Sequence, residues 1–212
     1  PSSAAAAAAA SVAGAEGAAL GATGGAPAGL YALRAADAVG LRTPLTNALA
    51  ARRGITAAVK TLGIPAAVGV GVVAAGIIIA LDEVLFRPLL PEFYQAATRV
   101  SPSRLLGFLA SFYGGIGEEI LTRLFLVSVL AWLLRGRATW LAILCAALLF
   151  GAGHLPAAAA ISPLTTALVV RTLLLNAVGG IAFGWLYWRR GLEAGMAAHF
   201  AADIVLHVLL TI

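Results

Sequence analysis

Three short stretches in the second half of the chain contain the side chains that could do acid–base chemistry. They read EEILTR over 118–123, FGAGH over 150–154 and HFAAD over 199–203. A carboxylate can take a proton from water, and an imidazole can share that proton or bind a metal. Carboxylates combined with histidines are therefore typical of a hydrolytic site, provided that the fold brings the three stretches together.

The spacing within these stretches is helical. Glu119 and Arg123 lie four positions apart, in the orientation that favours an ion pair on one helix. His199 and Asp203 are separated in the same way, so both face one direction. Glu118 points roughly 100° away from its neighbour and has no cation on its own helix. We therefore expect the partner of Glu118 to come from another helix.

Other polar residues in apolar stretches have structural interpretations. The Glu119–Arg123 pair can stabilise its helix without taking part in chemistry. His207 is interpreted as a donor of an interhelical hydrogen bond, and Arg171 as a structural residue near a membrane interface. These interpretations stay open beside the catalytic one, but none of them accounts for Glu118.

The composition indicates that these helices lie in a membrane. The chain has 212 residues, of which 61% are hydrophobic and 11% are charged, and its mean hydropathy is +0.98. A soluble domain would need more polar surface, and continuous apolar runs are typical of lipid-spanning helices. We predict an all-α fold, a polytopic helical bundle in a cell membrane.

About six transmembrane helices are predicted. Residues 64–81 carry no charge and would span about 27 Å at the helical rise of 1.5 Å per residue. Low-complexity Ala/Gly sequence gives only a weak first span, and Pro156 is expected to end the fourth. The predicted spans are 11–33, 64–81, 105–134, 138–155, 167–188 and 192–212. Residues 1–63 thus form a weak first helix with a basic linker, and residues 64–212 the membrane domain, with its core at 100–212.

The basic residues predict an orientation. The net charge is +5, and most of the arginines lie between apolar runs, where they orient helices rather than bind nucleic acid. The segments 34–63, 135–137 and 189–190 are expected on the cytoplasmic side, with 82–104 on the other.

Three glycines, Gly114, Gly115 and Gly117, predict a kink or break before Glu118. Lys60 is the one lysine of the chain, a composition that indicates a bacterial genome rich in GC.

The three stretches, in this order on successive hydrophobic helices, resemble the CAAX-protease and bacteriocin-processing family, also called the Abi family. These intramembrane proteases include the type II CAAX prenyl endopeptidases. The resemblance covers roughly residues 100–212. It implies an all-helical membrane peptidase that cuts a membrane-anchored or prenylated protein. The eukaryotic relatives of this peptidase remove a C-terminal tripeptide from prenylated proteins. The partners implied are therefore that protein substrate and the lipid bilayer, and no nucleic acid.

The resemblance also implies roles for the residues. Glu118 with His154 would activate a water molecule, His199 and Asp203 would stabilise the oxyanion or complete the site, and the supporting pair Glu119 and Arg123 would hold the first helix in place. The family usually has Asn at the last position. An ionised Asp203 cannot donate a hydrogen bond to an oxyanion as Asn can. Asp203 is therefore expected to be protonated, to orient His199 or to bind a metal.

The cofactor is left open at this stage. The sequence contains no H-E-x-x-H, which excludes the zincin arrangement. His154, His199 and Glu118 would still suit Zn²⁺ or another divalent metal, because catalytic zinc takes three protein ligands and a water. Both a metalloprotease and a metal-free glutamate base agree with the resemblance.

A non-enzymatic function uses the same buried residues. Intramembrane carboxylates and histidines also form proton relays in transporters and channels. An immunity protein that has lost activity is a further alternative. The intact Glu118 and both histidines favour the protease.

Overall fold

The computed structural model describes residues 25–100 and 103–210, and in these residues the protein is a bundle of helices without strands. This confirms the all-α prediction. The helices are α1 (Gly25–Ala38), α2 (Pro44–Ala50), α3 (Ile55–Leu62), α4 (Ile64–Leu81), α5 (Pro91–Val100), α6 (Arg104–Phe112), α7 (Ser128–Leu133), α8 (Thr139–Gly153), α9 (Leu155–Ile161), α10 (Thr166–Arg190) and α11 (Leu192–Asp203). Four wider π-helical segments join them: π1 (Asp82–Phe86), π2 (Tyr113–Glu118), π3 (Ile120–Val127) and π4 (Ile204–Leu209).

Four helical stretches of the described chain are long and apolar enough to cross a membrane. They are Ile55–Phe86, Thr139–Ile161, Thr166–Arg190 and Leu192–Leu209. The predicted span at 105–134 is helical but is not among these four, and it carries Glu118, Glu119 and Arg123. The predicted span at 11–33 lies mostly outside the described residues. A count of six spans therefore stays a prediction.

Two boundaries differ from the sequence-based expectation. Pro156 does not end the fourth span, because it occupies the first turn of α9, where a proline needs no backbone N–H donor. The polar segment 82–104 is not a simple connection either. It begins as π1, a direct continuation of α4, and then forms α5.

The chain from Arg104 to Leu133 forms one helical rod through α6, π2, π3 and α7. The glycines do not break the helix, and the alternative of a kink stays a prediction. The helix instead widens into π turns, which place more residues in each turn and re-aim the side chains that follow. Such turns are frequent at functional sites, and Glu118 is the last residue of π2.

Close helix packing surrounds α10. A Cβ atom added at Gly180 would lie 2.7 Å from the Cβ of Ala147, and one at Gly184 would lie 2.8 Å from Cγ2 of Ile143. These two glycines therefore let α8 approach α10 closely, as small residues do between membrane helices. On its other sides α10 packs against α11 and α4.

The basic segments gather at one end of the bundle. Arg42 donates a hydrogen bond to the backbone oxygen of Arg189 at 3.1 Å, and its own carbonyl accepts from the amide of Leu192 at 3.0 Å. Gly136 lies against Val39. The three segments that the sequence assigns to the cytoplasmic side are thus neighbours in space.

Candidate active site

The three motif stretches meet at one cavity of about 340 Å³. Glu118 reaches it from the end of π2, His154 from the turn after α8, and His199 and Asp203 from one face of α11. The partner of Glu118 does come from other helices. The cavity thus brings together the four side chains to which the resemblance assigns catalysis.

Glu118 lies between the two imidazoles. Its Oε1 is 3.9 Å from Nε2 of His154, and its Oε2 is 3.7 Å from Nε2 of His199. Both distances exceed those of a direct hydrogen bond, and a polar gap of this width suits one bridging water. Glu118 is 19% exposed, so its carboxylate faces the cavity rather than the protein interior.

The ring orientation of His154 is set by the backbone. Its Nδ1 lies 2.9 Å from the carbonyl oxygen of Phe150, one turn earlier. A carbonyl can only accept, so Nδ1 carries the proton and donates it there. In the neutral imidazole the lone pair is then on Nε2, the nitrogen that faces Glu118.

The orientation of His199 is set by a carboxylate. Its Nδ1 lies 2.8 Å from Oε1 of Glu119, and the same oxygen lies 3.0 Å from Nη1 of Arg123. The predicted i,i+4 pair is therefore present, and it also holds a histidine from another helix. All three side chains are buried. Nε2 of His199 is left facing Glu118 and Asp203.

Two phenylalanines fix the rings of the site. Phe183 stacks on His199 with ring centroids 4.7 Å apart, and Phe150 meets His154 edge-on at 4.7 Å. The guanidinium carbon of Arg123 lies 4.9 Å from the ring centre of Phe150 and 5.4 Å from that of Phe183. The buried cation thus gains cation–π contacts in addition to its carboxylate.

Asp203 lies at the far side of His199. Its Oδ1 is 3.6 Å from Nε2 of His199 and 4.0 Å from Nε2 of His207, one turn further along. A Cβ at residue 114 would lie too close to Oδ2 of Asp203, so any larger residue there would displace this carboxylate. His207 also lines the cavity, which gives it a place in the site besides the structural one expected.

A metal ion finds no ready set of ligands here. In the described residues no group of three His, Cys, Asp or Glu side chains is spaced to hold one. His154, His199 and Glu118 share the cavity, but Glu118 turns one oxygen to each histidine. A divalent metal held by these three residues therefore stays a prediction from the sequence, and we derive no step through it.

A second, mostly apolar cavity of about 250 Å³ meets the first at Glu118 and His154. Its walls come from the helical rod and from α8. Among the residues that line it are Leu121, Phe125, Leu126 and Leu149. The acid–base groups therefore lie where a polar cavity and an apolar one join.

Sequence reasoning missed one polar cluster on the wall of the first cavity. Arg171 donates from Nε to Oδ1 of Asp82 at 2.8 Å and from Nη2 to Oδ2 at 2.7 Å. The hydroxyl of Tyr94 accepts from Arg171 and donates to Asp82. Burial raises the pKa of Tyr94 to about 12, so the phenol keeps the proton that it donates. Asp82 and Arg171 are 89 positions apart, and no local pattern relates them.

The comparisons with known proteins point to one family. The family model described as type II CAAX prenyl endopeptidase Rce1-like matches residues 100–205, which is half of the chain. The match includes all three motif stretches. No curated protein and no solved structure matches the chain.

Proposed function

The chain belongs to the type II CAAX prenyl endopeptidase Rce1-like family, and we propose that it is an intramembrane endopeptidase in which Glu118 activates water. With its apolar spans it is a multi-pass membrane protein. The observation that carries the proposal is the position of Glu118, between two imidazoles that are each oriented through Nδ1. The family favours this proposal over a transporter or an immunity protein.

The geometry supports water activation by Glu118. A water between Glu118 and His154 can donate one hydrogen to the carboxylate and one to the lone pair of Nε2. Its oxygen then attacks the carbonyl carbon of the scissile peptide bond while Glu118 takes the proton. When the C–N bond breaks, that proton passes to the leaving nitrogen, and the products are a carboxylic acid and an amine.

The developing oxyanion needs donors on the other side of the carbonyl. His199 is rigid, because Glu119 holds its Nδ1 and Phe183 stacks on its ring. We assign it the role of donating from Nε2 to the oxyanion when the ring is protonated. Asp203 beside it orients the ring, because an ionised carboxylate accepts hydrogen bonds and does not donate them.

The substrate proposed is a membrane-anchored protein. The apolar cavity beside Glu118 suits a prenyl or other lipid chain, because burial of each CH₂ group contributes about 0.8 kcal/mol. The polar cavity on the other side suits the peptide. An anchor in one cavity and a peptide in the other would bring the bond between them to the carboxylate.

The test is turnover of a lipid-anchored fluorogenic peptide by the purified protein in liposomes. We expect cleavage by the wild type and its loss in Glu118→Gln and His154→Ala. Glu83→Gln is the matched control, since Glu83 is an exposed glutamate paired with Arg87 away from the cavity. Equal rates in all four proteins would refute the proposal. A parallel sample treated with a chelator, then supplied with Zn²⁺, shows whether turnover needs a metal.

A further inference from the structure

Arg171 lines the same cavity as Glu118. We propose that the guanidinium of Arg171 binds a carboxylate group of the substrate, so that this residue selects which peptides are cut. The inference rests on the proposed function for the chemistry at Glu118, but its own evidence is the Asp82–Arg171–Tyr94 cluster.

Arg171 is the one arginine among the described residues that line this cavity, and no lysine lines it. The acidic lining residues are Asp82, Glu118 and Asp203. An anion entering the cavity therefore meets the carboxylates of Glu118 and Asp203, whereas Arg171 offers it a guanidinium. In this proposal the peptide binds with its carboxylate at Arg171 and its scissile bond at Glu118.

The guanidinium of Arg171 is held in place and keeps N–H donors that are not used within the cluster. Asp82 and Tyr94 take the hydrogens of Nε and one of those on Nη2, while Nη1 makes no hydrogen bond within the described residues. Arginine has five N–H donors in a planar fork, so it can bridge two carboxylates. The guanidinium also stacks on Phe93 at 4.8 Å, which limits its motion. A site built in this way loses little entropy when it binds an anion.

Asn176, on the next turn of α10, also lines the cavity. Its Nδ2 donates to the backbone oxygen of Thr172 at 2.8 Å, which leaves the amide oxygen as an acceptor. A peptide whose carboxylate binds Arg171 would have a backbone N–H group available for this oxygen. Two features of α10 thus suit the end of a peptide chain.

The carboxylate has two possible sources, a free C-terminus or an acidic side chain near it. Four lipid-anchored peptides of one sequence distinguish them: the free acid, the C-terminal amide, and each of these with an Asp near the C-terminus replaced by Asn. We expect loss of the recognised carboxylate to lower kcat/KM about tenfold or more, as for a charge-assisted hydrogen bond, mainly through KM. A lower kcat/KM for the amide identifies the C-terminus as the source, and a lower kcat/KM for the Asn peptide identifies the acidic side chain.

The variant that tests Arg171 is the double substitution Asp82→Asn with Arg171→Gln. It removes the pair without leaving Asp82 as a buried, unpaired charge. The matched control is Glu83→Gln with Arg87→Gln, which removes the neighbouring exposed pair beside the same Tyr94 ring, outside the cavity lining. We expect the preference for the carboxylate peptide to fall to about one in the first variant and to persist in the control. General damage to the fold lowers all four rates together and leaves their ratios unchanged.

Binding of the same peptides to Glu118→Gln separates this inference from the proposed function, because it requires no turnover. A preference for the carboxylate peptide that disappears when Arg171→Gln and Asp82→Asn are added supports the inference even for a protein that cleaves nothing. Equal affinity for the four peptides, or a preference that survives those substitutions, overturns it.

Discussion

Glu118 and Glu119 are neighbours in the sequence and have opposite surroundings in the structure. Glu118 is 19% exposed, faces the cavity and makes no close ion pair, since both imidazoles are more than 3.5 Å away. Glu119 is fully buried, pairs with Arg123 at 3.0 Å and binds His199 at 2.8 Å. Two side chains of the same type thus have different surroundings, because adjacent residues of a helix point in different directions.

The difference teaches how a reactive carboxylate is kept available. A base must have lone pairs that water can reach, which requires that no cation or donor of the protein occupies them. Glu119 pairs with Arg123 and orients His199, so the buried cation has a carboxylate other than Glu118 beside it. Glu119 thus leaves Glu118 available for the role of base that we propose for it.

The largest expected difference between the two is in catalysis. Glu118→Gln should lower kcat roughly 10²–10⁴-fold, because the general base is lost. Its thermal unfolding midpoint should stay close to that of the wild type, since the side chain faces the cavity and breaks no buried pair. Turnover of the lipid-anchored peptide and a thermal unfolding curve check both parts. A large drop in the midpoint would contradict the assignment.

The second difference is in stability. Glu119→Gln leaves Arg123 buried without a carboxylate, which should cost about 3–5 kcal/mol of unfolding free energy. The double variant Glu119→Leu with Arg123→Met should regain much of that stability, because apolar residues of similar volume can replace a buried pair. Its activity should stay low, since His199 has lost the acceptor for Nδ1. Recovery of activity together with stability would show that Glu119 is only structural.

A smaller effect on kcat is expected from a substitution at Gly114, in the helical rod that carries both glutamates. Gly114→Ala would place a methyl group on Oδ2 of Asp203. The displaced carboxylate should lower kcat about tenfold to 100-fold, as small misplacements in active sites do. Gly76→Ala is the matched control in α4, because a Cβ there meets nothing within 4 Å. Equal activity of the two alanine variants would argue against a role for the position of Asp203.

The smallest effect is expected at Asp203 itself. Asp203→Asn restores the residue usual in the family and keeps an oxygen that can accept a hydrogen bond beside His199. We expect kcat/KM to change less than about tenfold, the scale of one hydrogen bond. Turnover of the lipid-anchored peptide by this variant is the measurement. A fall in rate as large as that of Glu118→Gln would show that Asp203 takes part directly in the reaction.

Much of the fold was predictable because it depends on local composition. Apolar runs of bilayer length identify α4, α8, α10 and α11. The carboxylate of Glu118, which has no cation one turn away on its own helix, indicates that another helix must supply its partner. Helix boundaries were less predictable. Pro156 begins a helix instead of ending one, and the glycines before Glu118 widen the helix instead of breaking it, because neighbouring helices stabilise both arrangements.

The sequence by itself determined the helical class, the membrane environment and the candidate acid–base residues, since residue type and i,i+4 spacing are local properties. Only the tertiary structure decided that His199 binds Glu119, that Glu118 lies between two imidazoles, and that Asp82 pairs with Arg171. Each of these depends on how separate helices are rotated and packed, and contacts between residues 80 or more positions apart leave no periodic trace in one chain.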